Sequence, residues 1–167
     1  MKCLVFSDSH NYSACMKRAL DKNRDAEVVF FLGDGISDAD AVAMADDVSR
    51  MWIVVRGNCD FSRIFLDRTV EKVEEITIEG KRIVATHGDL YGAKYGTRGL
   101  CDLAISKSAD VVLFGHTHMP HEEYVSEGEG FYLFNPGSIS YSSKSFGIMT
   151  INSNTILFSH GSFEDYI

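Results

Sequence analysis

From Lys2 to Gly57 the chain alternates apolar runs with amphipathic segments, and few folds accept that order: KCLVFS, NYSACMKRALDK, EVVFFLG, SDADAVAMADDV and MWIVVRG read as strand, helix, strand, helix, strand. Continuous apolar strands separated by helices form a parallel sheet covered on its faces. Tyr12, Met16, Ala19 and Leu20 repeat at helical spacing, and Ser37 with Asp40 resembles a capping box for the second helix. The second half is different. EEITIEGKRIVAT reads as a hairpin turning at Glu79 and Gly80, followed by a helical stretch from Thr97 to Lys107 and the strand DVVLFG. HEEYVSEGEGFYLF and SFGIMTINSNTILFSH read as paired strands around turns at Glu127 to Glu129 and Asn152 to Asn154. An α/β start and a β-rich end predict two sheets face to face with helices outside.

Residues 1–167 are read as a single domain, since 45% hydrophobic residues supply a core and no linker or repeat divides the chain. Sixteen Lys and Arg against 24 Asp and Glu give a net charge of −8, which argues against a nucleic-acid partner and leaves a small anionic substrate held by local cations. No apolar stretch has the length of a signal-peptide core or a membrane span, so a cytoplasmic protein without a membrane partner is expected. Cys3, Cys15, Cys59 and Cys101 form no CxxC pair, and reduced thiols are expected. The apolar tail offers a surface for a homo-oligomer.

Five apolar runs end in side chains able to bind a metal: Asp8 and His10 in FSDSH, Asp34 in FLGD, Asn58, Cys59 and Asp60 in VRGNCD, His87 and Asp89 in VATHGD, and His116 and His118 in FGHTH. Taken singly, each is an ordinary turn or helix cap, because Asp, Asn and Gly stabilise such bends without chemistry. Taken together they point to one metal site in the crevice beyond the strand ends, where open α/β sheets bind ligands. Carboxylate, imidazole and carboxamide without a thiolate array suit Mn²⁺, Fe, Zn²⁺ or Ni²⁺, with Mn²⁺ the first expectation. Asp8, His10, Asp34, Asn58, His87, His116 and His118 are too many ligands for one catalytic ion. Two ions about 3.5–4 Å apart sharing a carboxylate account for the number, and Asp34, central in the series, is the expected bridge.

In this order D-x-H, G-D, G-N, the single His87 and G-H-x-H resemble the calcineurin-like metallophosphoesterase family, and the NPGS at Asn135 to Ser138 extends the resemblance to its small YfcE-like phosphodiesterase subgroup. The resemblance implies an α/β fold, a four-layer α/β/β/α sandwich of two mixed sheets flanked by helices. It implies Asp8, His10, Asp34 and His118 around one ion, Asp34, Asn58, His87 and His116 around the other, and a bridging water or hydroxide as nucleophile toward a small phosphate ester. Asp34, Asn58, Asp60 and His87 are the catalytic set read from the sequence, with Asp60 expected to orient an imidazole; Asn58, Cys59 and His116 are expected to meet the substrate.

The chain departs from the pattern in three places. Cys59 stands where many monoesterases of the family carry a protonating histidine, a feature the YfcE-like subgroup shares. A neutral thiol is a poor acid at pH 7, which favours diesters and activated esters. Asp89 replaces the second histidine of H-G-H, and Lys144 is the nearest cation behind NPGS where an arginine is expected. The rival reading is a protein-binding scaffold, since a retromer coat subunit shares this fold with an incomplete ligand set. A nuclease is opposed by the charge and the lack of an aromatic and basic track.

Overall fold

A computed structural model of the chain describes residues 1–140 and 143–163. The first five segments form β1 (Lys2–Phe6), α1 (Ser13–Lys22), β2 (Val28–Phe31), α2 (Ile36–Ala45) and β3 (Met51–Val54). A small hairpin, β4 (Ile64–Phe65) and β5 (Arg68–Thr69), precedes β6 (Val73–Ile78) and β7 (Lys81–Thr86). Two 3₁₀ turns lead into α3 (Arg98–Lys107), β8 (Val111–Leu113), β9 (Pro120–Val125), β10 (Phe131–Pro136), β11 (Ser145–Ile151) and β12 (Ile156–Ser162).

One sheet has the order β12-β11-β1-β2-β3 and the other β6-β7-β8-β10-β9. Both are mixed: β1, β2 and β3 run parallel, as do β7, β8 and β10, while β11 and β9 join antiparallel. Side-chain alternation sorts the apolar residues into three layers of core. Leu4, Phe6, Val29 and Phe31 pack outward with Met16, Leu20, Ile36 and Val42 of the first two helices. Cys3, Val5, Val28 and Phe30 point the other way, against Ile83, Ala85, Leu113 and Phe134 of the second sheet. Val84, Val112 and Leu133 pack outward with Leu100, Leu103 and Ala104 of α3. Three apolar interfaces make four layers, as expected for the α/β/β/α sandwich.

Two local expectations change. Ser37 lies inside the first turn of α2, which starts at Ile36 after Gly35 at the N-cap, so Ser37 and Asp40 form no capping box. The Asp40 carboxylate instead accepts the Leu66 amide at 2.7 Å, and the start of α2 is capped by Asp60. The tail does pair as two strands, but β11 crosses back to lie beside β1, and Ile156 and Phe158 of β12 turn into the layer between the sheets. Leu157 is its exposed large apolar side chain. No helix among the described residues is long and apolar enough to cross a membrane.

Candidate metal centre

The five polar strand ends meet at one edge of the sandwich. The first sheet supplies the carboxyl ends of β1, β2 and β3, the second those of β7 and β8, and two hydrogen bonds stitch them together. The His87 Nδ1–H donates to the Leu32 carbonyl at 2.7 Å, and the His116 amide donates to Asp8 Oδ2 at 3.1 Å.

Asp8 is fully buried. Its Oδ2 accepts the Ser7 hydroxyl at 2.6 Å as well as the His116 amide. Its Oδ1 is buried without a hydrogen bond, with His118 Nε2 at 3.1 Å and His10 Nε2 at 4.0 Å as ion-pair neighbours. A buried carboxylate oxygen left open is costly in an apolar fold and is the expected state of an oxygen kept for a cation. The nearby Asp8 carboxylate raises the pKa of His118 above the ordinary imidazole value.

His87 is also fully buried, and its bond to Leu32 fixes the tautomer: a carbonyl can only accept, so Nδ1 carries the proton and the neutral ring turns its Nε2 lone pair into the crevice. Around that nitrogen lie Asn58 Oδ1 at 3.1 Å, His116 Nδ1 at 3.2 Å and Asp34 Oδ2 at 3.4 Å. Burial pulls the His87 pKa down, but Asp34 and Asp8 pull harder the other way, so the net shift is upward. Burial likewise pushes Asp34 up, and His87 together with the Cys59 amide, 2.8 Å from Oδ1, brings it well below the usual carboxylate range. His116 moves down through burial and the charges of His87 and Lys94.

All seven expected ligands are therefore gathered. Asp8, His10 and His118 offer donor atoms within 4.8 Å of one another, and so do Asp8, Asp34 and His87. Asp8 belongs to both groups, whereas Asp34, the shared carboxylate expected from the sequence, belongs to one. The donors fit divalent ions: a buried carboxylate oxygen without a hydrogen bond at Asp8, the His87 imidazole with one nitrogen anchored on the Leu32 carbonyl, and no thiolate array.

The profile of the calcineurin-like phosphoesterase superfamily domain matches residues 1–161. The chain belongs to this superfamily. Its sequence is 30% identical to the probable metallophosphoesterase YsnB of Bacillus subtilis over 158 residues, 92% of this chain and 86% of that protein. It is also 30% identical to the phosphodiesterase YfcE of Escherichia coli K12 over 157 residues, 84% of this chain and 80% of that one. In structure it superposes on zinc-bound Vps29 of Entamoeba histolytica with a TM-score of 0.73 and 22% identity, covering 98% of this chain and 99% of Vps29, a likeness of fold.

Backbone geometry explains why the superfamily motifs pair each ligand with particular neighbours. Asp8, His10, Asp34, His116 and His118 have φ of 55°, 44°, 59°, 66° and 60°, the left-handed region that L-residues enter at a cost of about 1 kcal/mol or more each. Asp and His tolerate it better than most residues, and tertiary bonds around the crevice hold it in place. The motif glycines leave room: a Cβ on Gly57 would lie 2.0 Å from Asp34 Oδ1, and one on Gly115 would lie 1.9 Å from Ser7 Oγ.

Asp60 does not orient an imidazole. Its Oδ2 accepts the amides of Asp34 and Gly57 and its Oδ1 those of Gly35 and Ile36, all at 2.8–2.9 Å, so it fixes the Asp34 turn, the Asn58 loop and the start of α2 together. It is a positioning residue. Cys59 is exposed, with Sγ 3.2 Å from Asn58 Nδ2, and partial burial and Asp34 raise its pKa, which keeps the thiol neutral. Asp89 pairs with Lys72 at 2.8 Å. Lys144 is placed by its backbone, whose amide donates to Ser140 and whose carbonyl accepts from Phe163. His121 sits 3.2 Å from Glu123, and the His160 Nε2–H donates to the Asn135 carbonyl.

Sequence reasoning missed the supports. Ser7 and the Leu32 carbonyl carry no motif signature. NPGS does, and its role is now visible: Asn135 Nδ2 donates to the Gly115 carbonyl at 2.9 Å, and the Ser138 hydroxyl donates to the Asp8 carbonyl at 2.8 Å. The motif braces two ligand loops from behind.

Proposed function

We propose that the chain is a two-metal phosphoesterase that hydrolyses phosphodiesters or activated phosphate esters. The observation that carries this reading is the meeting of seven candidate donors from five strand ends: Asp8, His10 and His118 lie within 4.8 Å of one another, Asp8, Asp34 and His87 do likewise, and Asn58 and His116 stand beside His87. Asp8, His10, Asp34 and His118 would hold one ion and Asp34, Asn58, His87 and His116 the other, with manganese the first ion to supply. When bound, such a pair polarises phosphoryl oxygens and lowers the pKa of water between the ions. The protein's own part is positional. Leu32 aims His87, Ser7 turns Asp8, Asp60 ties the Asp34 and Asn58 loops, and Asn58 and His116 face the substrate. Cys59 lies beside Asn58 and offers no ready proton, so leaving groups that depart without one are favoured. A small ester fits the net charge of −8 better than a nucleic acid, and four free cysteines fit a reducing compartment such as the cytoplasm.

A metal-containing binding scaffold is the second reading, favoured by the likeness to Vps29. The complete donor set weighs against it, because a scaffold has no chemical need to keep seven ligands. Asp34→Asn is the test: turnover should fall by about 100-fold or more while the circular dichroism spectrum is unchanged. A folded variant with wild-type turnover at saturating Mn²⁺ overturns the role of Asp34 and leaves Asp8, common to both donor groups, as the shared carboxylate.

A further inference from the structure

Ten of the eleven phenylalanines are buried or half-buried; Phe61 alone is fully exposed. It does not stand on an unrelated surface. Phe61 lines a cavity of about 280 Å³ together with His10, Asp34 and Cys59, so one wall of the space belongs to the metal centre and another to a bare aromatic face. The residue before it is Asp60, whose four backbone hydrogen bonds anchor the loop from which the ring projects.

We infer that Phe61 is the stacking platform for a neutral aromatic arm of the substrate, an aryl group or the base of a nucleoside; the inference rests on the phosphoesterase reading of the site. An aromatic face in water next to a polar centre binds planar rings with little selectivity among them, since every ring has a π-face. The rest of the cavity defines what the arm cannot be. Asp38 and Asp60 contribute negative charge, and both are engaged within the protein: Asp38 Oδ2 accepts the Ser9 hydroxyl at 2.6 Å and the Asn11 amide at 2.8 Å. The start of α2, which would otherwise attract an anion, is filled by the Asp60 carboxylate. A second phosphate or a carboxylate on the arm is therefore repelled. Ser37 and Ser62 offer neutral polar groups for a sugar or ring edge.

The test uses full-length protein loaded with Mn²⁺ and competitive inhibition of bis(p-nitrophenyl) phosphate turnover by inorganic, methyl, phenyl and thymidine phosphates. Wild type should bind phenyl and thymidine phosphates about tenfold or more tighter than methyl phosphate, the order expected of a stacked ring. Phe61→Ala should abolish that preference while leaving the inhibition constants of inorganic and methyl phosphate and the bound Mn²⁺ unchanged, and Phe61→Trp should keep it. Tighter binding of phenyl than of thymidine phosphate identifies an aryl arm, and the reverse a nucleoside. An unchanged preference in Phe61→Ala overturns the inference while the phosphoesterase reading stands. Absence of turnover of any ester by wild type overturns that reading and the inference with it.

Discussion

At the residue scale, the chemistry of the crevice is set by which atoms are already satisfied. Asp8 Oδ2, Asp34 Oδ1 and His87 Nδ1 each bond to protein, which leaves Asp34 Oδ2 3.4 Å from His87 Nε2 and Asp8 Oδ1 3.1 Å from His118 Nε2. Without an ion, His87 and His118 hold a proton above the ordinary imidazole value of 6.5, because each lies against a carboxylate. That stabilisation is fully present below pH 6.5 and is lost as pH rises through the raised values. An incoming cation must displace the same protons, so Mn²⁺ binding should release protons at neutral pH and tighten as pH rises from about 6 to 8. Calorimetry in buffers of different ionisation heat reads both effects; an affinity flat across that range contradicts the assignment. Cys59 gives a second expectation. General acid catalysis is worth about 10²–10⁴-fold and matters most for basic leaving groups. Cys59→His should raise kcat/KM on alkyl monoesters proportionally more than on nitrophenyl esters, flattening the dependence on leaving-group pKa. If the variant binds both ions and the slope does not move, position 59 is not the acid site.

At the element scale, strands and helices with strong periodicity were legible in the sequence, and their connections less so. The hairpin turn at Glu79 and Gly80 was readable because both residues adopt positive φ, 51° and 78°, as a tight two-residue turn requires. Ser37 and Asp40 misled because a local signature sees only neighbours in sequence, whereas the cap of α2 comes from Asp60, 24 residues beyond Ile36. The short β4–β5 hairpin has no glycine or alternating pattern to announce it; Leu66 and Asp67 take positive φ instead. Asp60 makes the clearest element-level prediction. Losing a helix cap costs about 0.5–2 kcal/mol, and Asp60 serves the Asp34 and Asn58 turns as well. Asp60→Ala should therefore lower Tm by roughly 4–8 °C and weaken Mn²⁺ binding about 10–100-fold. Asp60→Asn, which keeps one acceptor oxygen, should fall between. Thermal scans of the metal-free proteins with Mn²⁺ titrations read it, and an Asp60→Ala variant with unaltered metal affinity would show that α2 and the ligand loops are independent.

At the scale of the whole molecule, two sheets, the first joining the N-terminal strands to the last two, bring strand ends to one edge, so residues as far apart as Asp8 and His116 share a hydrogen bond. The seven candidate ligands were legible because strand ends are where apolar runs stop, and that can be read without coordinates. How the donors divide between two ions was not, since it depends on distances across the gap between the sheets; Asp8 stands in both groups of three and Asp34, the proposed bridge, in one. The central claim is that two ions work together in this crevice. It is tested most directly by titrating metal-free protein with Mn²⁺ while recording bound ions per chain and turnover of bis(p-nitrophenyl) phosphate in the same samples. Turnover should stay low while the first ion binds and rise in proportion to occupancy of the second, with a final stoichiometry of two. Full turnover at one ion per chain, or none at two, contradicts it.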